Sequence, residues 1–102
     1  MEENELKVRL SKPYRFEGTE YTEVDLSGLE ELTGNDITAV EKQMQKQGVV
    51  AAVMEMNTSY ALAVAARVTG KPVEFFNGLP AKDTVKVKRT VSGFLMDVDG
   101  ED

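Results

Sequence analysis

The chain has 102 residues, of which 41% are hydrophobic and 29% charged, and its formal net charge is -6. It contains neither histidine nor cysteine, which excludes disulfides and removes the usual zinc ligands, thiolate nucleophiles and neutral-pH general bases. The negative charge disfavours nucleic-acid phosphates and anionic membranes, and no stretch approaches the roughly 18 apolar residues that span a bilayer. We expect one soluble intracellular domain, with no enzymatic activity, no cofactor, no metal, no nucleic acid and no membrane.

Apolar and polar residues alternate in the N-terminal quarter of the chain, from Leu6 to Leu26. This period of two predicts half-buried antiparallel strands. Pro13 has no backbone N–H and therefore belongs at the start or the open side of an edge strand. Glu17-Gly18-Thr19 supplies a turn in which glycine can adopt a positive φ. The segment predicts a β-hairpin or a three-stranded sheet that packs its apolar face against the rest of the chain.

From Asn35 onward the apolar spacing becomes three and four, which predicts helices. The first predicted helix covers 36–46 and is capped by Asn35 or Asp36, and a central helix follows Asn57 or Thr58 and ends at Gly70. A short helix has Pro72 at its first position and Gly78 at its C-cap, and the last helix covers 81–96. Residues 49–56, VVAAVMEM, fit a helix start, a strand or a buried connection, so the helix boundaries between 47 and 58 stay open.

The predicted fold class is therefore α+β: a short antiparallel hairpin or three-stranded sheet followed by a bundle of three to four helices. We expect a single domain over 1–102. Its β segment covers about 5–26 and its helical segment about 35–96. A flexible acidic tail, DVDGED, occupies 97–102.

The clusters of polar residues give only weak indications of a catalytic or metal-binding site. Carboxylates crowd the two ends of the chain and Glu30-Glu31, where solvated surface is the usual explanation. The tail resembles a calcium loop, but the chain ends where the remaining ligands would stand. Neither Ser59 nor Ser92 has the Ser-x-x-Lys spacing of a serine nucleophile with a lysine base. The basic run KVKR at 86–89 is expected to form the solvent-exposed face of the last helix. These patterns argue against catalysis and metal binding.

Large apolar residues in the last third of the chain are the candidates for a binding surface. Neighbouring residues of a helix point about 100° apart, so we expect one of Phe75 and Phe76 to face the core and the other a partner. Met residues add deformable apolar surface suited to varied helices. The predicted partner-binding residues are Phe75, Phe76, Leu79, Val91, Phe94, Leu95 and Met96.

The order of short motifs resembles the tail assembly chaperone family of tailed, contractile-tail bacteriophages or prophages. Its members open with a segment similar to LSKPYRFEGTEYTEV at 10–24 and begin a helix with a motif similar to GND at 34–36. They end with a segment similar to VTGKPVEFFNGLPAKDTVKVKRTVSGFL at 68–95. Each motif is weak alone, whereas their order is fairly specific and covers most of the chain.

The resemblance implies a function for the chain. Such chaperones bind the long helical tape measure protein in the host cell cytoplasm, keep it soluble for tail tube assembly, and are absent from the mature virion. A longer form made by programmed frameshifting would add a domain after about 97–102 and could contact the tail tube protein. Homo-oligomerisation stays open. The client would present apolar anchors at i, i+3, i+4 and i+7 to an accommodating apolar surface.

Two other classes of function are compatible with a small acidic chain. One is a phage-encoded inhibitor or adaptor, which as a DNA mimic would carry a regular array of carboxylates. The other is a minor structural tail protein, although one hairpin supplies little β-structure for a tube ring. An acidic chaperone would also attract Lys-rich helices, which raises the encounter rate more than the affinity.

Overall fold

The structure is a computed structural model that describes residues 6–46, 48 and 57–96. The predicted α+β fold is confirmed, and its sheet has two strands. The elements are β1 (Lys7–Phe16), β2 (Thr19–Asp25), a 3-10 helix (Ser27–Glu31), α1 (Gly34–Lys46), α2 (Thr58–Thr69), α3 (Val73–Asn77) and α4 (Ala81–Met96). The segment 49–56 and the acidic tail 97–102 lie outside the described residues, so the predictions made for them stay predictions.

A two-residue turn joins the two strands. Phe16 pairs with Thr19, and the residues between them, Glu17 and Gly18, have φ values of 50° and 85°. Positive φ at both central residues is the mark of the type I′ turn, whose twist matches that of the flanking strands. The predicted glycine turn is confirmed, and Glu17 shares the left-handed conformation.

The hairpin contains a large bulge in β1. Arg9 pairs with Glu23 and Tyr14 with Tyr21, so five steps along β1 face two steps along β2. Three extra residues therefore leave the regular ladder, and Pro13 lies among them, where its missing N–H costs no ladder hydrogen bond. The bulge exposes backbone groups of β1 that must find partners elsewhere.

Helix α2 lies at the centre of the fold. Its residues from Tyr60 to Ala65 are all buried, and it packs against α1, α3, α4 and the 3-10 helix. The apolar faces of the hairpin and of the helices contribute to the same hydrophobic cluster. The marginal two-stranded sheet is thus stabilised by packing on helices, as the alternating pattern predicts.

The helix ends follow local capping rules, with two corrections to the sequence-based prediction. The Asn57 side chain accepts the Tyr60 N–H at 3.0 Å and caps α2, as predicted. Helix α1 begins after Thr33, whose hydroxyl accepts the Asp36 N–H while Asp36 accepts the Thr33 N–H. Asp36 is therefore the third residue of a capping box rather than the cap itself. Pro72 occupies the N-cap of α3 rather than its first position.

Candidate partner-binding surface

Phe75 lies at the centre of an aromatic cluster. Its ring centroid is 5.2 Å from Tyr14, 5.3 Å from Phe16 and 4.9 Å from Tyr21, each in an edge-to-face arrangement. Phe76 contacts Phe75 in the same way at 4.9 Å. Such pairs stabilise by about 0.5–1.5 kcal/mol each beyond their buried area. The aromatic end of the hairpin therefore packs directly on α3.

Both phenylalanines are fully buried, so the expectation that one of them faces outward is wrong. The reason is that other elements pack against α3 on more than one of its sides. The hairpin covers Phe75, and α3 also packs against α2. Two side chains about 100° apart can both be buried when a short helix lies between two layers.

Polar contacts hold this cluster in place. The Tyr14 hydroxyl donates to the Phe75 carbonyl oxygen at 2.9 Å, and burial raises the pKa of Tyr14 above its ordinary value. The Lys71 ammonium lies 4.8 Å from the Tyr21 ring centroid and 5.4 Å from that of Phe75, within cation–π range. Gly78 permits the approach, since a Cβ there would lie 2.5 Å from the Tyr14 hydroxyl.

A buried carboxylate joins α4 to the bulge of β1. Asp83 has no exposed surface, and its two oxygens accept the backbone N–H and the hydroxyl of Ser11 at 2.9 and 3.1 Å. The Lys86 ammonium lies 3.7 Å from Asp83 and donates to the Arg9 carbonyl oxygen at 2.9 Å. The Asp83 contact satisfies the Ser11 N–H, which the bulge removes from the ladder, and together the contacts of Asp83 and Lys86 fix the rotation of α4 against the hairpin.

The predicted partner-binding residues do not form one exposed surface. Phe75, Phe76, Leu79 and Val91 are core residues. Phe94 and Leu95 are partly buried against that core, whereas Met96 is 52% exposed. A partner that met the folded domain would therefore reach Met96 first, and binding at Phe94, Leu95 and Met96 stays a prediction.

The side of α4 that points away from the core carries exposed apolar residues. Val85 is 45% exposed, and at 100° per residue Ser92 and Met96 lie within about 20° of it, while Val87 lies about 160° away. A groove of ≈ 270 Å³ follows this side, with a mostly apolar lining. We call its lining residues the outer face of α4: Val85, Lys88, Arg89, Ser92 and Met96, with Thr58 and Thr84 at its margin.

The basic and the acidic residues are distributed differently along the chain. All twelve Lys and Arg residues and ten of the eighteen Asp and Glu residues lie in the part of the chain that the structure describes. The other eight acidic residues stand at positions 2–5, 55 and 97–102.

The outer face of α4 is locally basic. Lys88 and Arg89 line the groove, and neither forms an ion pair with another described residue. Lys86 and Arg89 also line a second depression beside β1, together with Lys7 and Arg9. An apolar groove bordered by cations attracts apolar side chains that are accompanied by negative charge.

Within residues 6–46, 48 and 57–96, acidic side chains nowhere gather in a group of three or more that could hold a metal ion. None of the described helices has both the length and the apolar character needed to cross a membrane.

The described fold is a hairpin packed on a small helical bundle, with an apolar groove bordered by cations on α4. Residues 7–96 match the family described as "Phage tail assembly chaperone proteins, E, or 41 or 14". The chain belongs to this family, which confirms the resemblance found in its motifs. Neither the curated proteins nor the solved structures contain a significant match. Membership of a chaperone family implies a non-enzymatic role and a phage tail protein as the client.

Proposed function

We propose that this chaperone binds the tape measure protein through an apolar helical surface and keeps it soluble for tail tube assembly. The observation that carries the proposal is the family match over 7–96, together with the apolar groove on α4. The chaperone acts in the host cell cytoplasm, requires no cofactor and catalyses no reaction. It leaves before the virion is complete.

The physical task of such a chaperone is to cover apolar surface for a limited time. A long helical client exposes rows of apolar side chains that would otherwise associate with one another. A groove that buries one such row removes it from water and frees it again when the tube protein competes. A small domain suffices, because the client segment in contact needs only a few helical turns.

Co-expression tests the proposal. The full-length tape measure protein of the same phage is produced with and without the full chaperone chain, and its soluble fraction and co-purification are measured. We expect the client to be largely insoluble alone, and soluble and co-purified when the chaperone is present. A client whose solubility is unchanged and which does not co-purify would overturn the proposal. Mass spectrometry of purified virions separates a chaperone, which is absent, from a minor structural tail protein, which is retained.

The longer form is a separate part of the proposal. A programmed frameshift near the end of the gene would append a second domain after about 97–102, and that domain would recruit the tail tube protein. A slippery heptamer near the final codons and a second, larger product that shares N-terminal peptides with this chain are expected. The absence of a larger product in infected cells would remove the frameshift while leaving the binding of the tape measure protein untouched.

A further inference from the structure

We propose that the outer face of α4 is the client-binding surface, and that its occupant is an amphipathic helix of the client whose apolar stripe is flanked by acidic residues. This inference rests on the proposed function, because it takes the client to be a phage tail protein. It assigns binding to Val85, Lys88, Arg89 and Met96 rather than to the buried Phe75, Phe76, Leu79 and Val91.

The geometry of the face fits one helix. Val85 and Met96 are the two large hydrophobic residues that stand out as exposed among the described residues. They lie eleven residues apart on one stripe, which corresponds to about 16 Å, or three helical turns. A client helix laid along the groove would bring two or three of its own apolar anchors, spaced at i, i+4 and i+7, against this stripe.

The positive charge on the outer face of α4 indicates which residues should flank the apolar stripe of the client helix. Lys88 and Arg89 stand between the two apolar ends of the groove, and Lys82 and Lys86 lie on the adjoining side of the same helix. The carboxylate of α4, Asp83, is buried and engaged with Ser11. At the described residues of this face a bound segment therefore meets cations, so Asp or Glu beside its apolar anchors would form ion pairs with them, whereas Lys or Arg there would be repelled.

The same charges argue against a second copy of the domain as the occupant. Two outer faces brought together about a twofold axis would place Lys88 and Arg89 of one copy near those of the other. Like charges at a contact disfavour it.

The test uses the full chain and overlapping fragments of the tape measure protein. The fragment that co-purifies with the unmodified chaperone becomes the probe, and its dissociation constant is measured for Val85→Asp and Arg89→Glu. Matched controls on α1 are Thr38→Asp, an exposed residue of the same shape as valine, and Lys42→Glu, an exposed lysine without an ion pair to a described residue. We expect Val85→Asp to weaken binding about tenfold or more and both controls to leave it within about twofold.

Salt and charge exchange test the electrostatic part. Raising NaCl from about 0.1 M to about 1 M shortens the Debye length from about 10 Å to about 3 Å, so the affinity of the unmodified chaperone should fall and approach that of Arg89→Glu. Replacing acidic residues of the bound fragment by Lys should weaken binding to the unmodified chaperone and restore binding to Arg89→Glu. Equal affinity of the exchanged fragment for both proteins would overturn the assignment of acidic flanks.

Other outcomes separate the possible occupants. If no fragment binds the unmodified chaperone, the proposed function fails. If a fragment binds but Val85→Asp and Thr38→Asp affect it equally, the function stands and the outer face of α4 is not its site. A large fall in the melting temperature of Val85→Asp without client would show that the chain itself fills the groove. A change from dimer to monomer on the same substitution would show that a second copy fills it. Either result would overturn the inference.

Discussion

Asp83 takes the place of a strand partner for Ser11: its carboxylate accepts both the backbone N–H at 2.9 Å and the hydroxyl at 3.1 Å. The two residues are 72 positions apart in the chain, so the contact joins the first strand to the last helix. It also fixes which side of α4 faces the core. With Asp83, Val87 and Val91 turned inward, Val85 and Met96 are left on the opposite side.

Substitution of Asp83 tests this contact. Asp83→Ala should lower the free energy of unfolding by about 2–3 kcal/mol, because it leaves the Ser11 N–H without its charged acceptor. Ser11→Ala removes only the hydroxyl bond and should lower it by about 0.5–1.5 kcal/mol. Urea unfolding measures both. A smaller loss for Asp83→Ala than for Ser11→Ala would mean that the buried carboxylate does not stabilise the fold.

Truncation of either adjacent phenylalanine should be strongly destabilising. Phe75 and Phe76 both have no exposed surface, so Phe75→Ala and Phe76→Ala should each lower the free energy of unfolding by about 3–5 kcal/mol. Thermal unfolding of Phe94→Ala, at a partly buried site, serves as the comparison and should show a smaller shift. A melting temperature for Phe76→Ala close to that of the unmodified chain would contradict the burial described for α3.

Two glycines should respond to alanine in opposite directions. A Cβ at Gly28 would lie 2.8 Å from the Val68 carbonyl oxygen, a backbone atom with little freedom to move, whereas a Cβ at Gly93 meets nothing within 4 Å. Gly28→Ala should therefore destabilise by about 1–3 kcal/mol. Gly93→Ala, within α4, should stabilise by about 0.5–1 kcal/mol because alanine loses less backbone entropy in a helix. The midpoints of denaturant unfolding measure both effects. Equal shifts of the midpoint for Gly28→Ala and Gly93→Ala would contradict the close approach of Gly28 to Val68.

The capping box of α1 should make stability depend on pH in the acid range. The Thr33 N–H and then the Arg67 guanidinium, which lies 2.8 Å from Asp36, hold the pKa of Asp36 below its ordinary value. Because the folded-state pKa is the lower one, the contribution is present above the unfolded-state value of about 3.9 and is lost as pH falls through the folded-state value.

Melting curves of the unmodified chain and of Asp36→Asn check this dependence. The difference between their melting temperatures should be greatest near neutral pH and should narrow below about pH 4. Arg67→Met should reduce the difference in part, since the Thr33 contribution remains. A difference that stays constant from pH 7 to pH 3 would show that the Asp36 carboxylate does not stabilise the cap.

Much of the fold could be predicted because it depends on local rules. The change from a period of two to one of three and four separates the hairpin from the helices, and Gly18, Asn57 and Gly70 mark the turn, a cap and a helix end where they were expected. The bulge in β1 could not be predicted. Its Ser11 N–H is bonded to Asp83, and no local pattern connects residue 11 with residue 83.

The binding surface was harder to predict for a related reason. Whether a phenylalanine is covered depends on what packs on both sides of its helix, and α3 lies between the hairpin and α2. The spacing of Val85, Ser92 and Met96 places them on one side of the helix, opposite Val87, and could have indicated an exposed stripe. The negative net charge of the whole chain gave no indication that this face is locally basic. Seven of the eighteen acidic residues that contribute to the value of -6 lie at the two ends of the chain, at 2–5 and 97–102.

Oxidation footprinting of Met96 tests the central claim most directly. Met96 is 52% exposed on the outer face of α4, whereas Met44 is 1% exposed in the core and serves as the internal reference for dilute hydrogen peroxide, read by mass spectrometry of peptides. In the complex with a tape measure fragment, we expect Met96 to oxidise several-fold more slowly than in the free chaperone, with Met44 unchanged. Equal oxidation of Met96 in the free and the bound chaperone would contradict the assignment of the client to this face.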